Sequence, residues 1–248
     1  MSRISTGNEP TLRQLRSVAV LADLFEEDLE EVARTVSYLR AFAGQNVVSH
    51  LERSSSFFLV LEGQVRVRMA SAAGRNVAFR LIGAGGHFGE IAALTGAPRI
   101  ASVVADTPCL LAEMTAPQFL DFIARRPTAS LRLLQSMARN IVVLTDRVFE
   151  LSTYELRARL CAELLRLARD APLTDGVIAI DPAPSHAELA DMLGALREGV
   201  SREFRVLARM GLVRTGRRHI AVLDIARMRT IVENEGGITA TQLVDWNV

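Results

Sequence analysis

Between Ser185 and Arg209 the chain reads SHAELADMLGALREGVSREFRVLAR, and Arg197, Glu198, Ser201, Arg202 and Arg205 recur there at steps of one, three and four. On a helix that spacing gathers the five on one face, opposite Val200, Phe204 and Leu207. The chemistry open to such a face is base reading. Arginine can donate two hydrogen bonds to guanine O6 and N7, and glutamate can accept from cytosine N4. A solvated surface helix would carry the same residues, and the local charge is only modestly positive, seven arginines against four acids over 185–219. A second set lies in GGHFGEIAALTGAPRIASVVA (85–105). Gly89 and Glu90 precede a short helical turn whose backbone N–H groups can hold an anion, and Arg99 follows nine residues after Glu90. A carboxylate suits a ribose 2′-hydroxyl and a guanidinium suits one phosphodiester charge. A structural Glu–Arg pair would satisfy the same spacing.

The elements that must position the first set are legible. Ser185 and Glu188 make an S-x-x-E capping box that starts a helix, and Gly194 ends it in a sharp turn. A second helix begins two residues later. GLVRTGRRHIAVLD (211–224) then reads as two strands around Thr215-Gly216, with Arg214, Arg217, Arg218 and His219 near the tip. Two helices joined by a glycine turn and followed by a basic hairpin form the winged helix-turn-helix layout, in which the hairpin touches phosphates beside the reading helix. The candidate DNA contacts are therefore Ser185, Arg197, Glu198, Ser201, Arg202, Arg205 and Arg217.

Upstream the texture changes. Residues 11–36 carry a helical pattern, and residues 1–10 are polar. FFLVLEG (57–63), VRVRM (65–69), VAFRLIG (77–83) and ASVVA (101–105) read as short strands punctuated by glycine, which suggests a compact antiparallel roll. QFLDFIARR is a helix ended by Pro127, and a long helix follows over about 128–151. In it Leu134, Ala138, Ile141, Thr145, Val148 and Ser152 step by four and three, the rhythm of a two-helix seam. The fold class expected is α+β, with an antiparallel roll over 11–126, a dimerisation helix over 127–152, a winged helix-turn-helix over 153–235 and a tail over 236–248.

Composition bounds the rest. The chain has 248 residues, 49% apolar and 23% charged, with a net charge of +1. No apolar run reaches the 18 residues of a membrane span and no signal peptide is visible, so a cytoplasmic protein without membrane contact is expected. All 29 basic residues are arginine, which fits a GC-rich genome and equally suits phosphate recognition. Cys109 and Cys161 sit in apolar patterns without metal-type spacing, so no metal or iron–sulfur cluster is expected. No nucleophile–base arrangement, Walker loop or kinase signature is present, so no enzyme and no catalytic residue are expected.

The segment GEIAALTGAPRIA resembles the phosphate-binding cassette of cyclic-nucleotide-binding domains, G-E-x-A-L-L-T-G-x-P-R-[ST]-A. With AGQNVV and FFLVLEGQVRV (43–67) before it and RE-x-V-SR (197–202) after the long helix, the chain resembles the cAMP receptor protein and FNR family of regulators over about residues 20–224. That resemblance implies a homodimeric transcription regulator that binds a palindromic operator in double-stranded DNA and works with RNA polymerase. It also implies that Arg99 meets a cyclic phosphate and that Glu90, with the 89–92 backbone including Gly89 and Ile91, meets the ribose. Thr145 in the seam would meet the base or else bond back to its own helix. Arg197, Glu198 and Arg202 would read base edges. cAMP is the first expectation for the effector, with cGMP or cyclic di-GMP also open. Ile100 departs from the cassette's serine or threonine. Losing that donor to a charged group costs about 1.5–3 kcal/mol, about tenfold to a hundredfold in affinity. A ligand-independent regulator therefore stays open, as does a redox or haem sensor with His50 or His87 as axial ligand.

Overall fold

The computed structural model of the chain describes residues 2–3, 11–70, 76–169, 171, 173–174 and 177–236, which fall into two compact units, Met1–Met137 and Ala138–Val248. The first unit opens with β1 (Ser2–Arg3), α1 (Leu12–Arg16) and α2 (Glu26–Thr35). The single helical pattern expected over 11–36 is thus two helices. Between them the chain turns repeatedly. Leu21 N donates to Val18 O, Leu24 N to Leu21 O, and Ala19 N donates outward to Gly85 O. Those turns bury Val18, Leu21 and Leu24 at the same three-residue spacing a helix would use, so apolar periodicity does not distinguish the two.

The strands β2 (Ser37–Ala41), β3 (Asn46–Val48), β4 (Phe57–Glu62), β5 (Gln64–Ala70), β6 (Asn76–Gly83), β7 (His87–Phe88), β8 (Ser102–Ala105) and β9 (Cys109–Met114) follow, interrupted by the short α3 (Glu90–Thr95) and closed by α4 (Ala116–Arg125). They form two antiparallel sheets, β1-β2-β9-β4-β7 and β3-β8-β5-β6. The run FFLVLE lacks alternation because both its faces are covered. Phe57, Leu59 and Leu61 pack with Leu15, Leu29, Phe119 and Leu133 of the helices, while Phe58 and Val60 point into the roll against Val65, Val103 and Leu111. β9 is divided the same way, Leu110, Ala112 and Met114 toward the helices and Cys109 and Leu111 inward. Each large side chain so buried contributes about 1.5–3 kcal/mol over leaving it in water.

The long helix α5 runs Pro127–Thr153, as the sequence predicts. Its first turns bury Ala129 and Leu133 in the first unit. Leu131, Leu134, Ile141, Leu144, Val148 and Leu151 stay exposed. The second unit adds α6 (Leu156–Ala168), β10 (Leu173–Thr174), β11 (Val177–Ile180), α7 (His186–Leu193), α8 (Arg197–Arg209), β12 (Val213–Gly216), β13 (His219–Val222) and α9 (Ile225–Gly236). Its sheet has the order β10-β11-β13-β12, and its core gathers Leu160, Leu164, Leu189, Phe204, Leu207, Met228 and Val232. Among the described residues no helix is long and apolar enough to cross a membrane. The tail expected from 236 lies, beyond its first residue, outside the described residues.

Candidate DNA-reading face and effector cassette

The capping box forms as expected. Ser185 Oγ accepts from Glu188 N at 3.2 Å and Ser185 N donates to Glu188 Oε2 at 2.7 Å, leaving the exposed Ser185 hydroxyl with its own proton to donate. Gly194 caps α7 in the left-handed region at φ 58. The last carbonyls of α7 are taken by arginines from other helices: Met192 O accepts from Arg147 Nη1 of α5 at 3.3 Å, and Leu193 O from Arg159 Nη1 of α6 at 2.9 Å. The same face of α5 is tied down by buried charge. Arg166 Nη1 and Nη2 meet the two oxygens of Glu150 at 2.7 and 3.0 Å, while Glu163 takes both Arg166 and Arg147.

On α8, Val200, Phe204 and Leu207 are buried, and Arg197, Glu198, Arg202 and Arg205 are exposed together on the other side. Arg202 keeps 69% of its side chain in solvent. Glu203 is different. It is buried and its Oε2 accepts from Arg157 Nε at 2.9 Å, so it belongs to the frame and not to the reading face. Ser201 is half-buried, and its hydroxyl lies 2.9 Å from His186 Nδ1. The His186 ring in turn stacks on Phe204, centroids 4.5 Å apart and nearly parallel. Burial, then the charge of Arg197, pulls the His186 pKa below its ordinary value. No spacing rule points to His186, fifteen residues before its partner; only the folded turn brings the two together.

The hairpin tip differs slightly from expectation. Gly216 pairs with His219, so the turn is Arg217-Arg218, and Arg218 adopts a left-handed φ of 51. Arg217 stands exposed at the tip. Arg218 O accepts from Ala183 N at 2.7 Å and its guanidinium lies 3.9 Å from Glu188, which fixes the wing beside the start of α7.

In the first unit Gly89, Glu90, Ile91, Arg99 and Ile100 come together around α3. Gly89 has φ 93, and a Cβ there would stand 2.6 Å from Ser56 O and 2.8 Å from Arg99 Nη1, so glycine is required. Arg99 is only 3% exposed. Its Nε donates to Ser54 Oγ at 2.9 Å, Nη2 to Ser56 O at 2.7 Å and Nη1 to Gly89 O at 3.4 Å. Among the described residues none of its hydrogen bonds runs to Glu90, so the simple Glu–Arg pair is not what fixes it. Three of five N–H donors are thus spent on the protein itself. Burial raises the Glu90 carboxyl above its ordinary pKa, and its buried Oε2 has no hydrogen-bond partner among the described residues. Ile100 is 58% exposed, and the nearby Ser102 oxygen already accepts from His50 N at 2.9 Å. Thr145 stands on the part of α5 in the second unit, where its hydroxyl donates back to Ile141 O at 2.9 Å. Cys109 and Cys161 are buried thiols outside any disulfide, and among the described residues no group of three or more His, Cys, Asp or Glu could hold a metal.

A winged helix-turn-helix joined to a glycine-punctuated roll with this cassette defines a class, the effector-domain DNA-binding regulators. Residues 40–126 match the cyclic nucleotide-binding domain family and residues 158–231 the Crp-like helix-turn-helix domain. The chain is 32% identical to the transcriptional regulator SdrP of Thermus thermophilus over 184 residues, 72% of this chain and 85% of that one. It is 30% identical to the cyclic AMP receptor protein of the same organism over 207 residues, 82% of this chain and 92% of that one. A solved CRP/FNR-family regulator, also from Thermus thermophilus, superposes with a TM-score of 0.62 at 29% identity, covering 80% of this chain and all of that one. The chain belongs to the CRP/FNR family of transcription regulators.

Proposed function

We propose that this chain is a cytoplasmic homodimeric regulator, paired along α5, that reads a palindromic operator with α8 and works with RNA polymerase under the control of a small anionic effector in the 89–100 cassette. The observation that carries the reading is the single exposed face of Arg197, Glu198, Arg202 and Arg205, backed by a fully packed frame. The functional parts in this reading are the roll over 11–126, the pairing helix over 127–152 and the DNA-binding part over 153–235. Ser185, Ser201 and Arg217 add phosphate contacts at its edge. The exposed seam residues Leu134, Ile141 and Val148 supply the apolar surface that pairing would cover.

For the effector, a cyclic nucleotide suits Arg99, Glu90 and the 89–91 backbone, with cAMP first and cGMP or cyclic di-GMP next. A second reading, regulation without a bound nucleotide, is favoured by the internal hydrogen bonds of Arg99 and by exposed Ile100 in the donor's place. A thermal-shift series with the three nucleotides separates them. Ligand at about 100 times Kd adds about 2.7 kcal/mol to the state that binds it; no shift with any of them selects the second reading. For the DNA half, Arg202→Ala should cost about 1–3 kcal/mol on the selected operator and relax discrimination at one base pair. Equal loss on operator and random duplex contradicts the base-reading role.

A further inference from the structure

Outside α5, Leu196 is the only large apolar side chain left exposed in the second unit among the described residues, at 70%. It is the N-cap of α8, with extended backbone and no side-chain bond to the helix's first N–H groups. A serine, threonine or aspartate there would ordinarily supply that bond, as Ser185 does for α7. The chain instead holds a branched apolar group in water at the end of the reading helix, directly before exposed Arg197 and Glu198. That end is the one a recognition helix inserts into the major groove. The thymine C5-methyl is the apolar group that base edges present there.

Resting on the DNA-reading assignment above, we propose that Leu196 is a further specificity residue: its isobutyl group packs on a thymine methyl beside the bases met by Arg197 and Glu198. The contact adds sequence information that the hydrogen-bonding heads of the polar face do not supply, since a guanidinium or a carboxylate makes no hydrogen bond to a methyl group.

The test starts by selecting duplexes from a random pool with the full chain, with and without cAMP, cGMP and cyclic di-GMP. Each thymine of the selected site is then replaced by deoxyuridine, which removes the methyl and leaves pairing intact. One thymine per half-site should show a loss of about fourfold, the worth of one buried methyl. Leu196→Ala should erase that loss, Leu196→Met should keep most of it, and Arg202→Ala should leave it unchanged while weakening binding overall. A selected site in which no methyl matters, or Leu196→Ala with undiminished sensitivity to deoxyuridine, overturns the contact alone. A pool from which no duplex is enriched under any condition overturns the DNA-reading assignment and the contact with it.

Discussion

Replacing Arg166 with methionine removes the cation that two buried carboxylates share. Glu150 is 3% exposed and Glu163 2% exposed, and both oxygens of Glu150 are bound by Arg166, at 2.7 and 3.0 Å. Burial alone would lower the Arg166 pKa, but the charges of Glu163 and Glu150 outweigh it and raise it instead. After the substitution Glu163 keeps Arg147 at 3.1 Å. Glu150 keeps no cation within ion-pair distance among the described residues. Stranding a buried charge costs about 3–5 kcal/mol, and the near-complete burial and two-point geometry place this case toward the upper end. Such a loss is a large part of the 5–15 kcal/mol that holds a typical domain folded.

The control separates stranded charge from lost packing. Glu150→Leu with Arg166→Leu removes both partners and leaves the Glu163–Arg147 pair. A well-packed apolar replacement of a buried ion pair is often neutral, so the double variant should lie within about 1 kcal/mol of the parent. Urea unfolding followed by far-UV circular dichroism measures the totals. Hydrogen exchange assigns the loss to α5–α6, because a chain of two units need not unfold in one step. If Arg166→Met costs less than about 1 kcal/mol, or the double variant is as unstable as the single one, the buried network is not what ties α5 to the DNA-binding unit.

Gly89→Ala should destabilise the first unit by about 2 kcal/mol, since it adds a left-handed alanine to a Cβ placed 2.6 Å from Ser56 O; an unchanged melting curve for the roll refutes the requirement for glycine. On the proposed pairing along α5, Ile141→Asp puts a charge in the middle of the seam and should give a monomer by light scattering at micromolar concentration. An intact dimer would move the interface off α5. The His186 pKa is depressed from 6.5, so the unfolded chain binds the proton more readily than the folded one. Its contribution is therefore full above about pH 6.5 and is lost as pH falls through the lower folded value. Urea midpoints should fall on acidification, and His186→Gln should flatten that slope; an identical slope in the variant removes His186 as its source.

Much of this was legible before folding, and for identifiable reasons. The S-x-x-E box, Gly194 and the 197–205 spacing are local signals whose partners lie within a helical turn, so Ser185 and the α8 face emerge from residue order alone. α5 was legible because a 27-residue helix repeats its pattern often enough to dominate chance. β9 was not. CLLAEM is apolar on both faces since helices cover one and the roll the other, and a short run of that kind carries no period. The split between α1 and α2 was hidden because turns and helices bury side chains at similar spacing. Hidden too was the Arg217-Arg218 turn, which follows from Gly216 pairing with His219, where the glycine itself attracted the expectation.

What no local pattern could tell is which arginines work inward. All 29 cations are the same residue, yet Arg99, Arg126 and Arg166 spend their guanidinium forks on the protein while Arg197, Arg202, Arg205 and Arg217 face solvent. The difference lies in distant partners. Arg126 Nε meets Asp28 across 98 residues at 2.9 Å, and Arg99 meets Ser54 across 45. A guanidinium with several acceptors already in place has little left to gain from a ligand, whereas an exposed one on a rigid helix is preorganised for an acceptor it lacks. By that measure the two halves of the molecule are not equally ready. The α8 face presents exposed forks held only by local bonds, Arg202 Nε 3.7 Å from Glu203 and Arg205 Nε donating to Ser201 O at 3.4 Å, while in the cassette Arg99 has two of its five N–H donors left once Ser54, Ser56 and Gly89 are bound. Ile100 adds no donor to help it. The three bonds of Arg99 tie Ser54 and Ser56, just ahead of β4, to Gly89 of the cassette. Arg99→Lys provides the check, because lysine keeps the charge but cannot hold three acceptors in a planar fork. Protection of the 54–57 amides from exchange should fall in the variant without any ligand present. Unchanged protection there would mean that the fork is not what closes the cassette.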